Sequence, residues 1–340
     1  MLAGRPPPVN GTAPVASVRF AAAASPWRSR RYPVVNFGVF MFCTANTMQP
    51  ADLAIAAEDL GFESLYFPEH THIPTRRWNG EPPDRYGTVT LHREGIRPYG
   101  RPSDLDTFTF AEEYISLYDP FIAIANAAAV TDTLNFGTAI SLINQHDVIT
   151  FARELASLDR LSQGRLSIGF GGGWFPDEMA DHGIPFEHRW QIARERVEAM
   201  RELWTKKEPE YHGEFVNFDK CWMDMKPMRR GGPPFLLGTN SKPAHRRVVE
   251  YCDGWLAPPG TPAMLQEGID RIRRIADEKG RSMDTIDLNV LGPVTDEKHA
   301  ESLIEMGFDR LIMWIHIGTP TDVIPQLKRY ERIKNAFEGA

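Results

Sequence analysis

Glu69, His70, Thr71 and His72 set a carboxylate, two imidazoles and a hydroxyl side by side. Imidazole titrates near neutrality, so such a run can give or take protons under ordinary conditions. A His-x-His pair at a strand end also suits a divalent metal, provided later strands add His or Asp ligands. Those later candidates are loose here. His245 falls inside a helical stretch, and His316 ends the last strand with no aspartate beside it. The sequence therefore assigns no metal ligands, and a surface histidine pair beside a loop is the plainer alternative.

Two further stretches could hold a ligand through backbone. Gly171, Gly172 and Gly173 follow an alternating run, RLSIGF. Glycines let amides approach a bound group closely, because no Cβ intervenes. A tight turn packed under the next helix would need the same residues. Gly238, Thr239, Asn240, Ser241 and Lys242 stand between a short apolar run and a helix start. Free amides there, the helix dipole and a lysine in the first turn make an anion site. An ordinary N-cap by Asn240 or Ser241 explains the same residues without a ligand. Trp174, Phe175, Trp222, Trp255 and Trp314 offer flat apolar surface for a ring, or simply core. No P-loop, dinucleotide fingerprint or nucleophile elbow occurs in a supporting context.

The elements that must position these groups alternate regularly. Residues 34–41 (VVNFGVFM) read as a first buried strand, and a helix starts at Pro50 and closes at Gly61. Residues 63–67 form a second strand that runs into Glu69 and His70. A long polar stretch, 71–118, follows; loops of that length in a compact domain serve as lids. A helix then starts at Asp119-Pro120, and residues 134–142 (LNFGTAISL) give the third strand. A helix over 146–161, with Val148, Ala152, Leu155 and Leu158 on one face, ends at Gln163-Gly164 and feeds the fourth strand. Downstream lie a helix over 190–204, an exposed hairpin-like stretch at 211–218, and short strands at 234–238, 254–257, 286–291 and 310–317. Helices begin at Pro243, Pro262, Glu297 and Pro320. Close to eight strand–helix alternations in one run, with no linker, predict a single (β/α)8 TIM barrel over 34–337 with an insertion after strand 2. Its ligands are expected at the carboxyl ends of the strands, where all three candidate stretches fall.

Composition excludes several classes. The net charge is −7, and residues 1–51 hold five arginines and no acid, so the rest is more acidic still. That balance argues against a nucleic-acid partner. No apolar run approaches the ~20 residues that span a bilayer. Cys43, Cys221 and Cys252 have no metal spacing and cannot all pair, which fits a reducing cytoplasm. Residues 1–33, rich in Ala, Pro, Ser and Arg, are read as a disordered leader or a mis-assigned start, outside the fold.

The run FGTAISL…ARELASLDRLSQGRLSIGFGGGW…GIPF…MRELW…YHGEF resembles the luciferase-like monooxygenase superfamily, and most of all its coenzyme F420-dependent oxidoreductases. PPFLLGTNSKPAHRRVVEYCDGWL is similar to the later phosphate-binding segment of that family. The resemblance implies a TIM barrel, often a homodimer, with F420 or FMN at the carboxyl face. It implies that Glu69 and His70 stand beside the cofactor ring. A non-proline cis bond is implied between Ala139 and Ile140, so that Thr138, Ala139 and Ile140 back the ring. Gly172 and Gly173 would lie near the ring or its side chain, and Gly238 to Ser241 on the phosphate. Sugar-phosphate dehydrogenases of the family carry Glu where Trp174 stands, so that activity is not carried over.

The implied function is hydride transfer between F420 and a small organic substrate. His70 would polarise or protonate the substrate, and Glu69 would orient His70 or contact the cofactor. Alternatives are an FMN-dependent monooxygenase using oxygen and a flavin reductase, a non-catalytic cofactor-binding barrel, and a metal-dependent hydrolase.

Overall fold

The chain, seen in a computed structural model, is described over residues 35–74, 114 and 116–337, with the backbone of a small hairpin, Thr88–Thr90 against Thr107–Thr109. The proposed leader, 1–33, lies outside the described residues, as does most of the 71–118 insertion.

Eight short runs rich in β-branched and aromatic residues become parallel strands. They are β1 (Asn36–Phe40), β2 (Ser64–Phe67), β3 (Asn135–Ser141), β4 (Leu166–Phe170), β5 (Phe235–Leu237), β6 (Gly254–Ala257), β7 (Asp287–Gly292) and β8 (Arg310–Trp314). Each pairs with the next, and β1 pairs with β8 in the register Asn36↔Arg310 to Phe40↔Trp314, which closes the barrel. The expected (β/α)8 barrel is the observed fold. Strand side chains alternate, so one set fills the barrel and the other meets the helices. Phe40, Tyr66, Leu236, Leu256, Leu291 and Ile312 form the inner cluster, whereas Val39, Leu65, Phe136 and Ile168 join the outer one.

Helices α1 (Pro50–Asp59), α2 (Pro120–Ala128) and α3 (Val148–Leu161) follow β1, the insertion and β3. Asp119 caps α2 by accepting from Phe121 N and Ile122 N, a contact worth about 1 kcal/mol. Asp147 does the same for α3 through Thr150 N. Two helices follow β4, namely α4 (Pro176–Asp181) and α5 (Arg189–Thr205). Then come α6 (Lys242–Tyr251), α7 (Pro262–Lys279), α8 (Glu297–Met306) and α9 (Pro320–Asn335). The sequence pattern does not anticipate α4, because six residues are too few to show a helical period. The stretch 211–218 is two paired dipeptides, Tyr211–His212 and Asn217–Phe218, and their turn amides donate to Glu195.

The turn between α3 and β4 is built by Arg165 at the amino end of β4. Its guanidinium donates to Ser162 O, Leu134 O, Ala128 O, Thr131 O and Thr131 Oγ1 at 2.8–3.0 Å. The LSQGR stretch is thus a clamp on the face opposite the site. Gln163 and Gly164, at φ 56° and 79°, supply the left-handed turn that the clamp requires.

Candidate active site

The carboxyl end of β3 departs from regular pairing. Its register against β4 slips between Thr138 and Ser141, and the Ala139–Ile140 peptide is cis, at the bond that the family resemblance implies. Thr138 Oγ1 donates to Gly169 O at 2.7 Å, and a Cβ on Gly169 would sit 2.1 Å from Thr138 O. The two strands touch so closely there that only glycine fits. Ile140 then projects across the mouth: Cβ atoms on Gly171 and Gly238 would lie 2.3 and 2.2 Å from its side chain. The half-buried Ile140 and buried Ala139 therefore form an apolar floor spanning β3, β4 and β5.

Glu69, just beyond β2, ties this bulge down. It is 4% exposed, with Oε2 accepting from Ser141 Oγ and Leu142 N at 2.7 Å each. Its Oε1 meets His146 Nε2 at 2.6 Å, and His146 stacks on Phe151 at 4.1 Å. Burial opposes the charge on Glu69, but the bonds from His146, Leu142 and Ser141 outweigh it and hold the carboxyl below its usual range. Burial likewise opposes the His146 cation, and the Glu69 carboxylate overrides it and raises the imidazole. Glu69 therefore shapes the mouth from below, and its carboxylate meets His146 rather than His70.

The carboxylate that does meet His70 is Glu178. Its Oε1 and Oε2 lie 3.3 and 3.2 Å from His70 Nδ1, and the two side chains are 2% and 6% exposed. Oε1 also accepts from Thr71 N at 3.1 Å. Among the described residues His70 Nε2 has no hydrogen-bond partner. The His70 ring is flanked by Tyr114 at 5.4 Å and by Trp174, edge-on, at 5.8 Å. Phe42 packs against Tyr114 and Trp314, which extends an aromatic wall along β1 and β8. Next to the dyad, Thr71 Oγ1 contacts Gln145, His72 and His182, and His72 Nε2 meets Asp181 at 3.0 Å. No three His, Cys, Asp or Glu side chains converge as metal ligands among the described residues.

Gly172 and Gly173 occupy the turn after β4. A Cβ on Gly172 would lie 3.0 Å from the Trp190 ring, and one on Gly173, at φ 86°, 2.6 Å from Met179 Sδ. Their missing side chains therefore make room for α5 and α4, while Gly172 O accepts from Asn144 Nδ2 at 3.1 Å. Across the mouth, Gly238 N donates to Phe170 O, Thr239 O accepts from Trp255 Nε1, and Ser241 Oγ caps α6 by accepting from Ala244 N. The N–H groups of Asn240, Ser241 and Lys242 have no acceptor among the described residues. Of the aromatic candidates, Trp174 and Trp314 reach the mouth. Phe175 and Trp255 are core, and Trp222 stands 80% exposed beside Glu208.

Sequence reading passes over Glu178 and the bonding of His146. Pro176-Asp177-Glu178 carries a helix-start signal, proline followed by first-turn acids, that marks α4 in retrospect. Nothing local ties it to a histidine 108 residues away.

The model of the luciferase-like monooxygenase family matches residues 103–338. The chain belongs to that family. It is thereby an oxidoreductase of the luciferase-like class. An uncharacterized protein of Mycobacterium tuberculosis is 36% identical over 225 residues, 66% of this chain and 73% of that one. A pyrimidine monooxygenase of Allorhizobium ampelinum is 27% identical over 212 residues, 59% of this chain and 55% of that one. Among solved structures, an F420-dependent secondary alcohol dehydrogenase in complex with an F420–acetone adduct superposes with a TM-score of 0.68 at 16% identity, covering 89% of this chain and 99% of that one. A type II Baeyer–Villiger monooxygenase from Pseudomonas putida in complex with FMN gives 0.56 at 17% identity, covering 80% and 72%. These structures share the fold of this luciferase-like chain. Among its described residues, no helix is long and apolar enough to cross a membrane.

Proposed function

We propose that the chain is an F420-dependent oxidoreductase that moves a hydride between the deazaflavin and a small alcohol or carbonyl substrate. The carrying observation is His70. One ring nitrogen is held by a buried carboxylate and the other has no hydrogen-bond partner among the described residues, at the carboxyl face of the barrel between aromatic rings.

The residues present fit a phosphate-bearing ring cofactor. The Ala139–Ile140 bulge offers a flat apolar support, and the amides of Asn240, Ser241 and Lys242, without acceptors among the described residues, open α6 with a positive dipole end. Gly172, Gly173, Gly238 and Thr239 follow β4 and β5 beside the bulge, whereas Thr138 is fully buried with its hydroxyl on Gly169 O. When bound, the deazaflavin supplies a ring carbon that accepts or gives a hydride. His70 Nε2 takes the hydroxyl proton as the carbinol carbon loses hydride, and returns it in the reverse direction, so that alcohol and ketone differ by one hydride and one proton. Phe42, Tyr114, Trp174 and Trp314 exclude water from that exchange. The clip of Glu69, Ser141 and His146 keeps the bulge in place.

An FMN-dependent monooxygenase is the second reading, favoured by the pyrimidine monooxygenase relative and by the likeness to an FMN-bound structure. Equilibrium titration separates the two. F420 is expected to bind more tightly than FMN, and micromolar FMN binding with no detectable F420 binding would reverse the assignment. In single-turnover transfer, His70→Ala is expected to lose at least ~10²-fold in rate with little change in cofactor affinity. A wild-type rate in that variant would remove His70 from the mechanism.

A further inference from the structure

We infer that Glu178 is a positioning residue that fixes the tautomer of His70, placing the proton on Nδ1 and leaving Nε2 bare at the mouth. The inference rests on the reading of His70 given above for its consequence, and on geometry alone for its substance.

Glu178 is 1% exposed and occupies the first turn of α4, where a negative charge is favoured by the helix dipole. The helix is short, but it is anchored. Met179 is fully buried against the Cα of Gly173, and Met179 N donates to Phe175 O. The glycine turn after β4 thus determines where the carboxylate stands. As a carboxylate, Glu178 only accepts hydrogen bonds. Thr71 N, an obligate donor, takes Oε1 at 3.1 Å. The imidazole nitrogen 3.2 Å from Oε2 must then be a donor as well, so Nδ1 carries the hydrogen and a neutral ring has its lone pair on Nε2. Glu69, adjacent in sequence, is fully occupied by His146, Ser141 and Leu142 and offers nothing to this ring.

Glutamine at position 178 gives a sharp test, because the site dictates how the amide must lie. Thr71 N holds the carbonyl at the Oε1 position, which puts the NH2 group in place of Oε2, facing Nδ1. That NH2 group, 3.2 Å from Nδ1, then competes with the carbonyl at 3.3 Å, and a donor nearest the nitrogen favours its bare form, with the proton on Nε2. The measurement is long-range 1H–15N correlation of the histidine rings in the 15N-labelled full chain, followed with rising pH until the ring signals no longer move. His70 signals are identified by their loss in His70→Gln. The wild type is expected to show a protonated, pyrrole-type Nδ1 and a pyridine-type Nε2. Glu178→Gln is expected to exchange the two, and Glu178→Asp, still an acceptor, to restore the wild-type pattern. In single-turnover transfer, Glu178→Gln is expected to slow the proton-coupled step by at least about tenfold with cofactor affinity unchanged, and to slow His70→Ala no further.

An unchanged tautomer in a folded Glu178→Gln variant overturns the inference. A tautomer that switches while both His70→Ala and Glu178→Gln keep the wild-type rate refutes the proton role of His70 and supports its positioning by Glu178.

Discussion

Replacing Glu69 by glutamine removes a charge and almost no volume from a carboxyl group that joins the ends of β2 and β3 to the start of α3. In the wild type, Oε2 takes two donors, Ser141 Oγ and Leu142 N, and Oε1 takes His146 Nε2. The glutamine carbonyl must stay with the two donors, so its amide nitrogen faces His146. The ring can then bond only as a neutral acceptor, and the ion pair is lost while the bulge keeps its two bonds. A hydrogen bond to a charged group contributes about 1.5–3 kcal/mol, and for a barrel of this size that corresponds to about 2–5 °C in Tm.

The loss depends on pH, and its sign follows from the two shifts. The folded state raises His146 above 6.5, so its contribution is complete below that value and fades as pH rises through the folded pKa. The folded state lowers Glu69 below 4.5, so its contribution is complete above that value and fades in acid. The pair is therefore at full strength between about pH 4.5 and 6.5. Calorimetric melting of wild type and Glu69→Gln near pH 6 should show the full difference, and the gap should narrow as pH rises from 6.5 through the raised pKa of His146. A variant that melts with the wild type near pH 6, or a gap that stays constant across the range, would refute this account of the clip.

Two other perturbations probe different parts of the molecule. His245 is 2% exposed, with neither ring nitrogen hydrogen-bonded among the described residues, and burial, followed by the nearby Arg271, pushes it down to about 4. Its stability contribution is present above 6.5 and lost as pH falls toward 4, so His245→Leu should unfold at lower pH than wild type in an acid titration followed by circular dichroism; an equal or higher midpoint would contradict the assignment. Ser241→Asp should weaken cofactor binding by at least about tenfold, by setting like charge against a phosphate, whereas Ser241→Ala should cost far less because the amides remain. Unchanged affinity in the folded Asp variant would leave the segment a helix cap only.

The chain order of apolar runs, proline starts and glycine stops determined the barrel, because each βα unit is a local pattern and only a closed parallel sheet buries eight such strands at once. The same logic placed His70, Glu69 and the 238–242 stretch at the carboxyl face, and the family motif located the Ala139–Ile140 bond. Some of that legible signal concerns stability: the LSQGR run clamps the opposite face through Arg165. Which groups pair across the mouth was decided by tertiary structure alone. Glu69 is adjacent to His70 in sequence, yet its carboxylate reaches His146, 77 residues on, while His70 meets Glu178 from a six-residue helix. The physical reason is that neighbouring residues beyond a strand end point to different sides of the chain. Each side chain finds its partner on whichever loop the closed barrel brings alongside, and that distance in space leaves no trace in local spacing.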